Sequence, residues 1–263
     1  MGSERLAGTW RASRVSFLCG VFLASLSTLS LEILLTRIFS VTMYYHFAFM
    51  VVSLALLGLG VSGIAVYLAP WIVRRAPGTA AAISMMLFTG AALLALHVAL
   101  TSPVSLWDWD LNKARLPWIY AAACLPFLAS GMALSTAIAA AGDRIGRVYA
   151  ADLAGAATGA VLVILVLPSL GGPGAVIAAG AAGALSAVMF SLSDAPRPRA
   201  LRGSVAGIAL VAAVSVGWIG ATEKDARRFG FACNPENFLG TERPDFERWN
   251  AISQVTDATQ GDR

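Results

Sequence analysis

Two acidic residues stand where acids are costly. Glu32 falls in the apolar run Leu31-Glu32-Ile33-Leu34-Leu35-Thr36-Arg37, and Asp152 in Tyr149-Ala150-Ala151-Asp152-Leu153-Ala154-Gly155. A carboxylate inside an apolar stretch of membrane length is expensive, and by default it marks a functional site or a buried pair. Glu32 is about 17 residues into its run, which at 1.5 Å per residue is about 25 Å along a helix. Arg37 stands at the far end of that run, where its long side chain can snorkel to an interface. The spacing between Glu32 and Arg37 is poor for an ion pair on one helix face. Glu32 is therefore expected to turn inward, to a neighbouring helix or a water-lined pocket. Asp152 lies one turn inside its own run, and two readings stay open: a functional carboxylate, or an interface charge paired with Arg144, Arg147 or Arg14. The two acids fall near opposite interfaces, so they are not expected to share one site. Glu32, Arg37 and Asp152 form the candidate intramembrane polar set.

Other reactive residue types are sparse. His46 and His97 are the two histidines, and neither has a carboxylate or cysteine at ligand spacing. His97 is expected to hydrogen-bond between helices. The three cysteines, Cys19, Cys124 and Cys233, show no paired spacing for a disulfide framework or a zinc site. Gly58-Leu59-Gly60-Val61-Ser62-Gly63 matches the dinucleotide pattern GxGxxG, which works only where a strand enters a helix. Here it lies in the middle of an apolar run, so Gly58, Gly60 and Gly63 are read as helix-packing residues. Ala151, Gly155 and Gly159 recur every four residues and are read in the same way. No catalytic, cofactor-binding or metal-binding residue is assigned.

The elements that must carry these residues follow from composition. The 263 residues are 57% hydrophobic and 13% charged, with a mean hydropathy of +0.71. A soluble domain carries roughly a quarter charged residues, so too few are present here to cover a water-facing surface. A helix crosses the hydrocarbon core with about 20 apolar residues. Seven stretches qualify: 15–36, 46–69, 79–101, 117–141, 148–170, 174–193 and 203–221. Each must be helical, because lipid offers the backbone no hydrogen bonds. The fifth and sixth are separated only by Gly171-Gly172-Pro173-Gly174, a turn that makes them an antiparallel hairpin. The expected fold is all-α and polytopic: a basic segment 1–14, a seven-helix transmembrane bundle over 15–221, and a short, mostly irregular soluble tail over 222–263.

Charge sets the orientation. Arg5, Arg11, Arg14, Arg74, Arg75, Arg144, Arg147, Arg197, Arg199 and Arg202 fall on the N-terminal side, against Arg37, Lys113 and Arg115 on the other. Cytoplasmic loops carry the positive excess, which puts the N-terminus in the cytoplasm and, after seven spans, the tail outside. Residues 223–263 are net acidic, with six Lys/Arg and eight Asp/Glu. No basic stripe on a soluble face is present, which argues against nucleic acid as a partner.

Several segments, taken in order, resemble a known family. They are Glu32-Ile33-Leu34-Leu35-Thr36-Arg37, Tyr45-His46-Phe47-Ala48-Phe49, Leu54-Ala55-Leu56-Leu57-Gly58-Leu59-Gly60, Tyr149-Ala150-Ala151-Asp152-Leu153-Ala154-Gly155, Leu170-Gly171-Gly172-Pro173-Gly174 and Arg248-Trp249-Asn250-Ala251-Ile252-Ser253-Gln254-Val255. They resemble bacterial membrane proteins in which a multi-span region is fused to a spermidine-synthase-like, polyamine aminopropyltransferase-like domain. The resemblance implies a bacterial inner membrane location. It also implies that the Trp-Asn-x-x-Ser segment from Trp249 corresponds to the entry strand of the soluble part, with Trp249, Ala251, Ser253 and Val255 alternating. In the family a Rossmann-like sheet, a glycine-rich AdoMet-type loop and acidic substrate-binding residues follow. Here Val255 is followed by TDATQGDR, so no catalytic position is carried over and no cofactor is expected in this chain. An aminopropyltransferase would be expected in the cytoplasm, whereas the charge count places the tail outside.

Three functions compete on this reading. The first is a non-catalytic membrane module that anchors or serves a soluble AdoMet-type transferase domain or partner. The second is a transporter of amines or another small metabolite, with the intramembrane acids on its pathway. The third is a scaffold subunit packed among other membrane subunits.

Overall fold

The computed structural model describes residues 2–42, 45–69, 76–101, 109–193, 246–249 and 254–257. Five α-helices follow one another: α1 (Gly2–Thr42), α2 (Tyr45–Leu68), α3 (Pro77–Thr101), α4 (Trp109–Ala141) and α5 (Ile145–Ser193). The apolar runs leave the backbone to bond within itself, and the stop signals are local. Pro77 opens α3 at a position where a missing N–H costs nothing. A 3-10 turn, Gly142–Arg144, separates α4 from α5. Gly142 adopts φ 53° there, a left-handed conformation that glycine takes without a Cβ penalty.

Inside α5 the chain breaks again. Gly171 has φ 70° and ψ 175°, between Pro168 and Pro173. Contacts with α1 give the consequence. Along the first arm, 145–170, Asp152 meets Ser25 and Gly159 meets Ser30. Along the second arm, 172–193, Ser186 returns to Gly20 and Phe190 to Phe17. The first arm therefore runs parallel to α1 and the second antiparallel, so the chain reverses at Gly171.

Helix neighbours close a ring: α1 packs on α5, α5 on α3, α3 on α4, α4 on α2, and α2 on α1. Phe39, Phe88, Phe127 and Phe190 fill its interior with Leu31, Leu35, Met85 and Ile119. The outward faces are apolar too. Phe49, Leu56, Ile64 and Tyr67 on α2, and Ile164 and Leu165 on α5, are exposed.

Among the described residues four helical stretches are long and apolar enough to cross a membrane: Val15–Ser40, Phe49–Leu68, Pro77–Leu100 and Arg115–Ser193. The sequence reading expects seven. The expected spans 117–141, 148–170 and 174–193 run on as one stretch of 79 residues. Two short turns within the helical path divide it: the charged Gly142–Arg144 and the break at Gly171. A straight helix of that length would be about 120 Å, far beyond a bilayer, so the turns at Gly142 and Gly171 are what make it compact. The expected span 203–221 lies outside the described residues. Helix α1 also exceeds the expected 15–36 at both ends.

Of the expected tail, 246–249 and 254–257 are described: β1 (Phe246–Trp249) pairs antiparallel with β2 (Gln254–Asp257), where the resemblance implies one entry strand. Phe246 lies opposite Asp257 and Trp249 opposite Gln254.

Candidate functional site

The polar seam of the molecule lies between α1 and the first arm of α5. On α1 the run Ser25-Leu26-Ser27-Thr28-Leu29-Ser30 carries four hydroxyls, all buried. Ser27 and Thr28 donate back to the Ala24 carbonyl at 2.9 and 2.7 Å, the usual way a helix satisfies a buried hydroxyl. Ser30 instead crosses to α5 and donates to the Gly159 carbonyl at 3.2 Å. Ser25 reaches two acceptors: the Val21 carbonyl at 3.1 Å and the Asp152 carboxylate. A hydroxyl has one proton, and the carboxylate is the stronger acceptor. The Ser25–Asp152 bond is thus the charge-bearing link across the seam.

Asp152, Gly155 and Gly159 are spaced three and four apart and so share one face of α5. Gly155 sits against the Phe22 carbonyl of α1. Gly159 sits against the Leu26 carbonyl and the Ser30 hydroxyl. At Gly155 a Cβ would overlap main chain, so the two helices touch backbone to backbone there. This close approach brings the short Ser25 side chain within reach of Asp152. Ala151 is half-buried and packs on the core beside them.

The other candidates separate from this seam. Glu32 is half-buried, and among the described residues its carboxylate has no hydrogen bond or ion pair; its main-chain carbonyl accepts from Thr36 Oγ1 at 2.8 Å. Glu32 follows Ser25 by two helical turns, about 10 Å along the same side of α1. Asp152, seven residues into α5, is accordingly held about 10 Å along the axis from the level of Glu32. The two acids remain separate sites. Arg37 is half-buried one turn beyond Leu34. Arg144 and Arg147 are exposed at the start of α5; among the described residues the partner of Asp152 is Ser25, not either arginine. The Arg14 side chain lies outside the described ones.

Of the α2 glycines, Gly58 is pressed against Phe127 and the Leu128 backbone of α4, with an added Cβ only 2.8 Å from Leu128 N. Gly63 comes within ordinary contact of Ser135, and Gly60 faces open space. Gly131 of α4 completes this second seam against Ser62. Cys124 donates to the Leu54 carbonyl at 3.6 Å. His97 is exposed on α3; the His46 side chain and Cys233 lie outside the described residues. No group of three or more potential metal ligands occurs among the described residues.

The sequence reading passed over Ser25, Ser30 and Ser186. For Ser25 and Ser30 the signal was present as the hydroxyl-rich run 25–30 inside an apolar stretch. A hydroxyl that bonds within its own helix and one that bonds across look alike in sequence. Scans against family models, curated proteins and solved structures return no match, so the resemblance stated above rests on its own segments.

Proposed function

We propose that this chain is a polytopic helical membrane module, non-catalytic on its own, that anchors or serves a soluble AdoMet-type transferase domain or partner. The observation that carries the membrane part is an inverted polarity. Large apolar side chains cover the outward faces of the helices, while hydroxyls and the Asp152 carboxylate turn inward. Water would leave that outer surface unstable; lipid solvates it. The transferase part rests on the ordered family-like segments, from Glu32 to Val255.

The N-terminus is assigned to the cytoplasm of a bacterial inner membrane, on the excess of arginines on that side. The parallel course of α1 and the first arm of α5 supports this, because it brings the N-terminal end of α1 and the Arg144–Arg147 turn to the same end of the bundle. With 203–221 as a seventh span, the tail and its hairpin lie outside.

Alkaline carbonate treatment of membranes tests insertion: the chain should stay in the pellet, and its release would overturn the reading. An impermeant maleimide on Cys233 tests topology. Labelling in intact cells supports seven spans, and labelling only in inverted vesicles requires an even number. Copurification of an AdoMet-type protein, or its absence, tests the partner.

One observation favours the transporter as the second reading: the Ser25–Asp152 pair sits between helices at mid-bundle, where a cation or an amine could be passed along. Uptake or efflux in vesicles that is unchanged by Asp152→Asn would remove it.

A further inference from the structure

Between α1 and the two arms of α5 lies an apolar crevice of about 150 Å³. Leu26, Ser30 and Leu34 form its α1 wall, and the second arm of α5 contributes a row of alanines, Ala178 and Ala182 among them. Alanine side chains are too short to close the space. The hydroxyl of Ser30 is already donated to Gly159, and the rest of the lining is apolar. A stable buried water needs about two to four polar partners, so the crevice suits hydrocarbon rather than water. Leu162 on its rim is exposed, and Leu26, Ala178 and Ala182 are half-buried, so the space opens outward.

Arg37 falls on the same side of α1 as this wall. Positions 26, 30, 34 and 37 follow the spacing of a single helical face. Arg37 is three residues from the end of the apolar stretch Val15–Ser40. From Leu26 to Arg37 the helix rises about 16 Å, close to the roughly 15 Å half-thickness of a hydrocarbon core. A cation at headgroup depth and a crevice at acyl depth therefore share one face.

We propose that this face binds an anionic phospholipid, its phosphate on the Arg37 guanidinium and one acyl chain in the crevice. A guanidinium matches phosphate oxygens with two parallel N–H donors, and a zwitterionic lipid would bring a cation into the same neighbourhood. The lipid belongs to the leaflet at the C-terminal end of α1. This inference rests on the membrane reading above.

The full chain, purified in mild detergent, is offered phosphatidylglycerol and phosphatidylcholine with identical acyl chains, and retention is read by native mass spectrometry. The unaltered chain should retain phosphatidylglycerol roughly five- to tenfold better. Arg37→Gln should bring it down to the phosphatidylcholine level. Ala182→Leu, which fills the crevice, should lower retention of both lipids. Dihexanoyl phosphatidylglycerol offered to the unaltered chain probes the crevice without a substitution and should be held several-fold less well. Equal retention of the two headgroups, no effect of Arg37→Gln, or displacement by inorganic phosphate alone would overturn the proposal. Release of the chain by carbonate would sink this proposal and the membrane reading together; a membrane-retained chain without headgroup preference would sink this proposal alone.

Discussion

Two of the seams between helices use the same small residues to different ends. Between α2 and α4, Gly58 lies under Phe127 and Gly131 against Ser62. That seam is packing, with Cys124 as its soft donor across to Leu54. Between α1 and α5, Gly155 and Gly159 allow equally close contact, but the gap they close is lined with hydroxyls and one carboxylate. Close approach by glycine is common to both. Charge is confined to one. Small-residue spacing thus marks where helices meet, and the buried hydroxyls and carboxylate mark which of these two meetings is also polar.

The comparison can be broken at several points. The largest effect is expected from Gly155→Leu, which would drive a side chain into the Phe22 carbonyl. Overpacking of this kind costs about 3 kcal/mol, and thermal unfolding in detergent should show a much lower midpoint together with loss of the α1–α5 contact. Next comes a matched pair within GxGxxG. Gly58→Ala should destabilise by about 1–3 kcal/mol, because its Cβ would meet Leu128 N at 2.8 Å. Gly60→Ala, facing open space, should stabilise by up to about 1 kcal/mol through helix propensity. If both behave alike, the distinction between packed and unpacked glycines fails. Gly171→Ala should cost about 1–3 kcal/mol, because φ 70° with ψ 175° is a backbone region essentially reserved for glycine. The smallest effect belongs to Ser25→Ala. An interhelical hydrogen bond within a membrane contributes about 0.6 kcal/mol on average, so stability should barely move.

Much of the helical plan was readable from the chain. Apolar runs free of charge located α2 and α3, because a backbone in lipid has no alternative to the helix. The reversal at Gly171 was readable from its Gly-Gly-Pro-Gly turn. The expected spans 117–141, 148–170 and 174–193 are divided at Gly142 and Gly171, where breaks were expected, yet they form one apolar stretch of 79 residues because the turns between them are so short. The hairpin was missed for a different reason: Trp249 to Val255 alternates as one strand would, which hides the local pairing of Phe246–Trp249 with Gln254–Asp257. At the candidate site, the cost of burying a carboxylate pointed to Asp152. Its partner could not be named, because Ser25 reaches it only through the backbone contact at Gly155, which depends on how two distant segments dock.

α1 and the first arm of α5 meet at Ser25 and Asp152. The most direct measurement replaces Cys19, Cys124 and Cys233 by serine, then introduces Ser25→Cys with Asp152→Cys and oxidises native membranes. A rapid intramolecular disulfide is expected, with Glu32→Cys and Asp152→Cys as a control pair, about 10 Å apart along α1, that stays reduced. No disulfide between positions 25 and 152, or equal cross-linking of the control, would contradict the seam as described.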